Sequence, residues 1–314
     1  MRIVFCGTPA FAVPSFRHLL QQPDFEILAV LTQPDRPRGR GQEVAGSAIK
    51  QAAVAAGIAV HQPEKVRAPE VQQLLQELAP DAVVIIAYGQ IIPARLLPIP
   101  KHGWINLHAS LLPKYRGAAP INWAIAHGET RTGVTSMRID AGMDTGDMLM
   151  HREIEIGANE TAPELSTRLA ELGAPLILET LRGLASGTLH PQPQDHAAAT
   201  YAPILKREDG RIDWKLSAPQ IYNRMRGFMP WPGAYTTFRG QLCHLFGELV
   251  STPEREKAPA GNPGTLDHSS GAVWVACGDS TELRLTSVKL EGRKQMSASD
   301  FANGARLQPG ERFT

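Results

Sequence analysis

Cysteine is scarce. Cys6, Cys243 and Cys277 are the only three, they lie far apart, and no CxxC spacing occurs. That pattern excludes a disulfide scaffold and a cysteine-held zinc cluster, and it fits a reducing, cytoplasmic setting. Long apolar runs are missing too: the longest, "DAVVIIAYG", is far short of the roughly 20 residues that cross a bilayer. The opening "MRIVFCGTPAF" has an apolar stretch too short for a signal peptide, and Pro9 breaks it. Net charge is nearly absent at +1, so bulk attraction to nucleic acid or membrane is not expected. Any anionic partner must be met by a local patch. There is no internal repeat and no histidine, cysteine or carboxylate cluster with metal-ligand spacing.

What is present points to two domains, since 314 residues exceed the usual compact unit. Through the first part, apolar runs alternate with amphipathic stretches. "RIVFCG", "EILAVLTQ", "DAVVIIAYG" and "GWINLHA" read as strands, with "PAFAVPSFRHLLQQ" and "APEVQQLLQEL" as helices between them. Near-continuous apolar strands separated by helices imply a parallel sheet covered on both faces. The expected fold class is therefore α/β. The stretch "HPQPQDHAAATYAP", from His190, has the Pro, Gln and small residues of a linker. Beyond it, short β-prone runs broken by glycines suggest a small antiparallel barrel or sandwich. The expected division is 1–189, a linker at 190–205, and 206–314.

The first turn excludes a dinucleotide enzyme. In "CGTPAFAVP", Gly7 stands alone, with Pro9 and Phe11 where close approach to a pyrophosphate demands glycine. No GxxxxGK[ST] occurs either.

Asn106 and His108 lie two apart in an apolar strand, so they project to one side while Ile105 and Leu107 face the other. A core strand gains nothing from two such groups. At the carboxyl edge of an open parallel sheet, where ligands bind, an amide beside an imidazole suits acyl transfer. The amide can hydrogen-bond an oxyanion, and the imidazole can move a proton or add positive charge. The loop "DAGMDTGDML" packs Asp140, Asp144 and Asp147 among glycines. Turn geometry alone accounts for some of these carboxylates, but one could orient His108. Asp144 is central and is the best candidate, though spacing does not choose among the three.

"NLHASLLPKYRGAAP" together with "DAGMDTGDML" resembles the signature of the formyltransferases that use 10-formyltetrahydrofolate. "RIVFCGTPAFAVPSFRHL", "PDRPRGRGQ", "LKREDGRIDW" and "NRMRGFMPWPGAYT" are similar to the branch of that family acting on initiator methionyl-tRNA, across essentially the whole chain. The resemblance implies a Rossmann-like parallel-sheet formyltransferase domain holding the folate, followed by a small OB-like β-barrel domain that binds tRNA. It implies a catalytic trio of Asn106, His108 and Asp144. Ser110, Leu111, Leu112 and Pro113 take the folate-holding role, and the backbone of Ala87, Tyr88, Gly89, Gln90 and Ile91 meets the pteridine. The formyl group passes directly to the α-amino group of methionine on initiator methionyl-tRNA, for translation initiation. Asn106 and protonated His108 meet the oxyanion, and Asp144 steadies the imidazolium. No metal is implied and no membrane partner; the expected working unit is a cytoplasmic monomer.

In the loop "PDRPRGRGQ", Arg36, Arg38 and Arg40 could grip phosphate, and the resemblance makes Arg40 the reader of the acceptor end. Gln42 and Glu43, just after it, are less basic than the family commonly shows. Lys206, Arg207, Arg211, Lys215, Arg224 and Arg226 would add sequence-independent phosphate contacts. Trp231, between two prolines, reads as a packing anchor in a fixed turn. The rival readings are formyl transfer to a sugar-nucleotide amine or to a glycinamide ribonucleotide, a deformylating hydrolase, and an RNA-binding protein with an inactive first domain. The arginine-rich loop favours tRNA over the sugar. The second domain argues against the ribonucleotide, and the intact trio against the inactive protein.

Overall fold

The computed structural model describes residues 1–38, 43–250, 261–269 and 271–314. The chain divides into two compact units. The first comprises 1–120, 131–155 and 164–203; the second comprises 121–130, 156–163 and 204–314.

In the first unit, β1 (Arg2–Gly7), α1 (Val13–Leu20), β2 (Glu26–Leu31), β3 (Arg36–Arg38), β4 (Glu43–Ala45), α2 (Ala48–Ala55), β5 (Val60–His61), α3 (Pro69–Leu78), β6 (Ala82–Ile86) and β7 (Trp104–His108) follow in order. Next along the chain come α4 (Pro120–Ala126), most of which belongs to the second unit, then β8 (Arg131–Arg138), β9 (Met148–Glu155) and α5 (Ala162–Ser186). Local signals set the helix starts. Pro69 opens α3 where its missing N–H costs nothing. Ser47 caps α2 by accepting from Lys50 N at 3.1 Å. All five residues of β6 are buried, as are five of six in β1, so these strands carry apolar side chains on both faces.

The sheet order is β5-β2-β1-β6-β7-β8-β9. β5, β2, β1, β6 and β7 run parallel, but β8 and β9 are antiparallel. The parallel sheet expected from sequence is present in those five strands, and the two antiparallel strands extend it into a mixed sheet. β8 lies antiparallel beside β7, so the chain re-enters the sheet from the edge it left. The loop "PDRPRGRGQ" also differs from expectation, because β3 pairs antiparallel with β4.

From β1 the chain moves to β2 on one side and later to β6 on the other. In open sheets such a switch point places the ligand crevice beyond the carboxyl ends of the flanking strands, here β1 and β6, beside the end of β7.

The second unit holds α6 (Ala218–Gly227), β10 (Tyr235–Phe238), β11 (Gln241–Glu248), β12 (Leu266–Ser269), β13 (Ala272–Ala276), β14 (Glu282–Leu290), β15 (Met296–Ser297) and α7 (Ala298–Ala305). Its sheet runs β10-β11-β14-β13-β12 with β15 on β14, all antiparallel. This curled half-barrel fits an OB-like domain. Its core gathers Ile221, Met225, Leu245, Val273 and Phe301 around Trp214, whose ring stacks on Phe313 at 5.5 Å. Arg226, expected at a phosphate, is instead buried. Its guanidinium donates to Asn223 Oδ1 and to the carbonyls of Gly157 and Glu160. Trp231 stands 55% exposed rather than packed.

Candidate active site

On β7, Trp104, Asn106 and His108 share one face. Trp104 is buried in the core and donates to Leu96 O at 2.9 Å. Leu107, on the opposite face, packs against Gly173 of α5, where any side chain would collide with it. The row therefore runs from core to crevice. Asn106 is the least buried of the five β7 residues, and among the described residues no protein group pairs with its side-chain amide. His108 is 6% exposed, with Nε2 donating to Tyr115 O at 2.9 Å.

Asp144 comes to the other side of that ring, with Oδ2 3.7 Å from His108 Nδ1. The same oxygen accepts Gly117 N–H at 2.8 Å. Both ring nitrogens thus face oxygen atoms, the Tyr115 carbonyl on one edge and the Asp144 carboxylate on the other. The 3.7 Å gap exceeds a hydrogen bond, which leaves Nδ1 able to exchange a proton with a third atom. Asp140 serves the loop instead, since its carboxylate accepts from Thr145 Oγ1 and Gly142 N and so closes the turn. Asp147 contributes its carbonyl to Arg138 N at 2.9 Å.

The other expected site residues fall as follows. Ser110 is buried, and its hydroxyl donates to Lys114 O at 2.6 Å, so the side chain shapes the turn. Leu112 N donates to Thr135 Oγ1, which in turn donates to Ser110 O. Leu111 and Pro113 are partly exposed beside them. Ala87, Tyr88, Gly89, Gln90 and Ile91 follow β6 at the switch point. Ala87 and Gly89 are exposed at φ 48° and 86°, and Ile91 is 84% exposed. Tyr88 turns its ring into the core, and its carbonyl accepts from Thr8 Oγ1 and Gln33 Nε2. Gln90 Oε1 accepts Val66 N–H at 2.6 Å.

Arg36 is exposed on β3. Arg38 is described only for its backbone, and Arg40 and Gln42 lie outside the described residues. In the second unit Lys206 and Arg207 are exposed. Arg224 lies over the Phe228 ring at 5.3 Å.

Two residues that sequence reading missed join this site. Arg116, 2% exposed, donates through Nε and Nη2 to Gln194 Oε1. Gln194 Nε2 donates to Asp144 O and Gly146 O. Only Gly117 offered a signal: at φ +120° its missing side chain admits Ala202 O, 2.7 Å from where a Cβ would stand. A thiol nucleophile is excluded. Burial pushes Cys243 and Cys277 up to about 12 and Cys6 further still, so none is a thiolate at neutral pH. Among the described residues no group of three or more metal-ligating side chains gathers, and no helix is long and apolar enough to cross a membrane.

The family model described as "Formyl transferase" matches residues 1–181, more than half of the chain. The chain belongs to the formyltransferase family. A model for the family's C-terminal domain matches 204–306 of this formyltransferase. It is 52% identical to the methionyl-tRNA formyltransferase of Acidobacterium capsulatum, covering 100% of this chain and 99% of the relative. With the protein of the same name from Solibacter usitatus it shares 54% identity, covering 100% and 98%. Among solved structures it is similar in fold to a sugar 3N-formyl transferase in the presence of 5-N-formyl-THF, at TM-score 0.67 and 19% identity, covering 94% and 99%. HypX from Aquifex aeolicus in complex with tetrahydrofolic acid has TM-score 0.60 and 18% identity, covering 100% of this chain and 50% of that one.

Proposed function

We propose that this formyltransferase moves the formyl group of 10-formyltetrahydrofolate to the α-amino group of methionine on initiator methionyl-tRNA, for translation initiation. The observation that carries the chemistry is Asn106, whose amide is unpaired among the described residues, beside an imidazole and carboxylate 3.7 Å apart. The choice of acceptor is supported by about 50% identity over the full chain to proteins named for it.

The residues present fit a reduced pterin carrier. An open amide sits beside a crevice that exposed backbone at Ala87, Gly89 and Ile91 borders. The backbone of Ala87, Tyr88, Gly89, Gln90 and Ile91 and the turn of Ser110, Leu111, Leu112 and Pro113 would hold it; Ser110 and Tyr88 contribute shape rather than side-chain contacts. When bound, the folate supplies an activated formyl carbon. Asn106 donates to the oxygen that gains charge. His108, charged while the oxyanion forms, would give its Nδ1 proton to the departing folate nitrogen and take up the proton that the amine loses, and Asp144 holds the cationic ring.

Residues 1–189 form the folate-binding catalytic part, 190–205 connect, and 206–314 form the OB-like tRNA-binding part. Arg36, Arg38, Arg40, Lys206, Arg207 and Arg224 meet phosphate, a contact that weakens with salt. The chain works as a cytoplasmic monomer.

The test offers formyl donor with charged initiator tRNA, charged elongator tRNA and a sugar-nucleotide amine in parallel. Rapid N-formylmethionine formation on the initiator alone is expected. Preferential formylation of the sugar amine overturns the assignment.

A further inference from the structure

Residues 190–203 have little regular structure beyond one 3-10 turn at His196–Ala198, and their composition reads as a connector. They are threaded against both loops that flank His108. Gln192 and Met148 exchange backbone hydrogen bonds at 2.8 and 2.9 Å, which ties the segment to the start of β9. Gln194, 5% exposed, then uses every position its amide offers. Its oxygen accepts from Arg116 Nε at 3.0 Å and Nη2 at 2.6 Å, and its nitrogen donates to Asp144 O at 2.9 Å and Gly146 O at 2.7 Å. Further on, Thr200 Oγ1 accepts Tyr115 N–H at 2.9 Å, and Thr200 O accepts Arg116 N–H at 2.9 Å. Ala202 N donates to Arg116 O at 2.7 Å.

The two residues held in this way are the two that face the imidazole. Tyr115 presents its carbonyl to Nε2, and Asp144 its carboxylate to Nδ1. Both lie at positive φ, 59° and 53°, a conformation a side chain keeps only when its surroundings hold it there.

We propose that residues 192–202 form a strap, with Gln194 and Thr200 as positioning residues for His108. Neither touches the ring. Thr200 fixes the carbonyl on one edge and Gln194 the carboxylate on the other, so a segment remote in sequence sets the ring's orientation and the opening at Nδ1. The inference rests on His108 serving formyl transfer, but the strap's geometry does not. Glutamine is the residue the position demands, because a primary amide presents two acceptor sites and two N–H groups in one plane. A glutamate would still pair with Arg116, yet it would turn oxygens toward the carbonyls of Asp144 and Gly146.

The Gln194→Glu variant of the full chain separates positioning from folding. The ion pair with Arg116 keeps the segment in place, so the melting temperature stays near wild type while the Asp144 loop loosens. The expected kcat falls about tenfold or more, as misplacement of reacting groups implies, with KM for both substrates little changed. His108 should also become several-fold more reactive toward diethyl pyrocarbonate, read by mass spectrometry of the modified histidine. Thr200→Val should give the same split from the other edge, and Thr200→Ser, which keeps the hydroxyl, should restore turnover. Wild-type kcat in Gln194→Glu with His108 as protected as before overturns the strap, and so does a loss confined to KM. A wild-type chain that forms no N-formylmethionine refutes the reaction instead, and the histidine footprint then decides the strap by itself.

Discussion

Asn106→Ala isolates the amide's part in the chemistry, because the structure separates it from the amide's part in folding. Among the described residues nothing in the protein pairs with that side chain, and it is the least buried in its strand. Removing it therefore orphans no partner and opens no sealed cavity, and the change in stability should stay within about 0.5 kcal/mol. One preorganised donor to a developing oxyanion is worth about 2.7–4 kcal/mol, or roughly 10²–10³ in rate. Single-turnover formylation of charged initiator tRNA, alongside thermal melts, measures both quantities. The expected variant melts within about 2 °C of wild type and loses kcat and kcat/KM together, the mark of an interaction made in the transition state. Turnover within about fivefold of wild type would refute the oxyanion role, as would a loss matched by a fall in melting temperature.

Gly117→Ala places a Cβ 2.7 Å from Ala202 O at φ +120°. Strain of this kind costs on the order of 1–3 kcal/mol, so calorimetry should show a lower melting temperature and assays a lower kcat; an unchanged melt contradicts the packing described. His244 is held below the usual imidazole range, first by burial and then by the charges of Lys289 and Arg207. The unfolded chain therefore binds more protons, and this contribution to stability is whole above about pH 6.5 and lost as the pH falls below it. Melting temperatures at about pH 7.5 and 5.5 should converge in His244→Gln relative to wild type; an identical drop in both proteins rules this out.

The parallel half of the sheet was legible because β1 and β6 are buried on both faces and read as unbroken apolar runs. The direction of β8 was not, since its apolar pattern reads the same whichever way the chain returns and only its pairing with β7 fixes it. Asn106 and His108 announced themselves by a spacing of two in a strand. Asp144 needed the fold, because its neighbours Asp140 and Asp147 look alike until Thr145 and Gly142 are seen to claim the first. Gln194 carried no local signal at all: its partners lie 50 and 78 residues away, and a segment of Pro, Gln and Ala with no period looks idle until they are known. Trp231 misled in the opposite sense, since flanking prolines fix a turn without burying what it carries.

The second unit is assembled from three stretches of chain. Its Arg226 guanidinium donates to the carbonyl oxygens of Gly157 and Glu160, and the Tyr222 hydroxyl donates to Asn159 Oδ1, all upstream of the long α5. Excised at any single cut after α5, the C-terminal piece would keep its sheet but lose the carbonyls that hold the Arg226 guanidinium. The apparent tail-end module therefore does not come away whole, and anyone wishing to study it alone must bring two upstream segments along, one of them carrying most of α4.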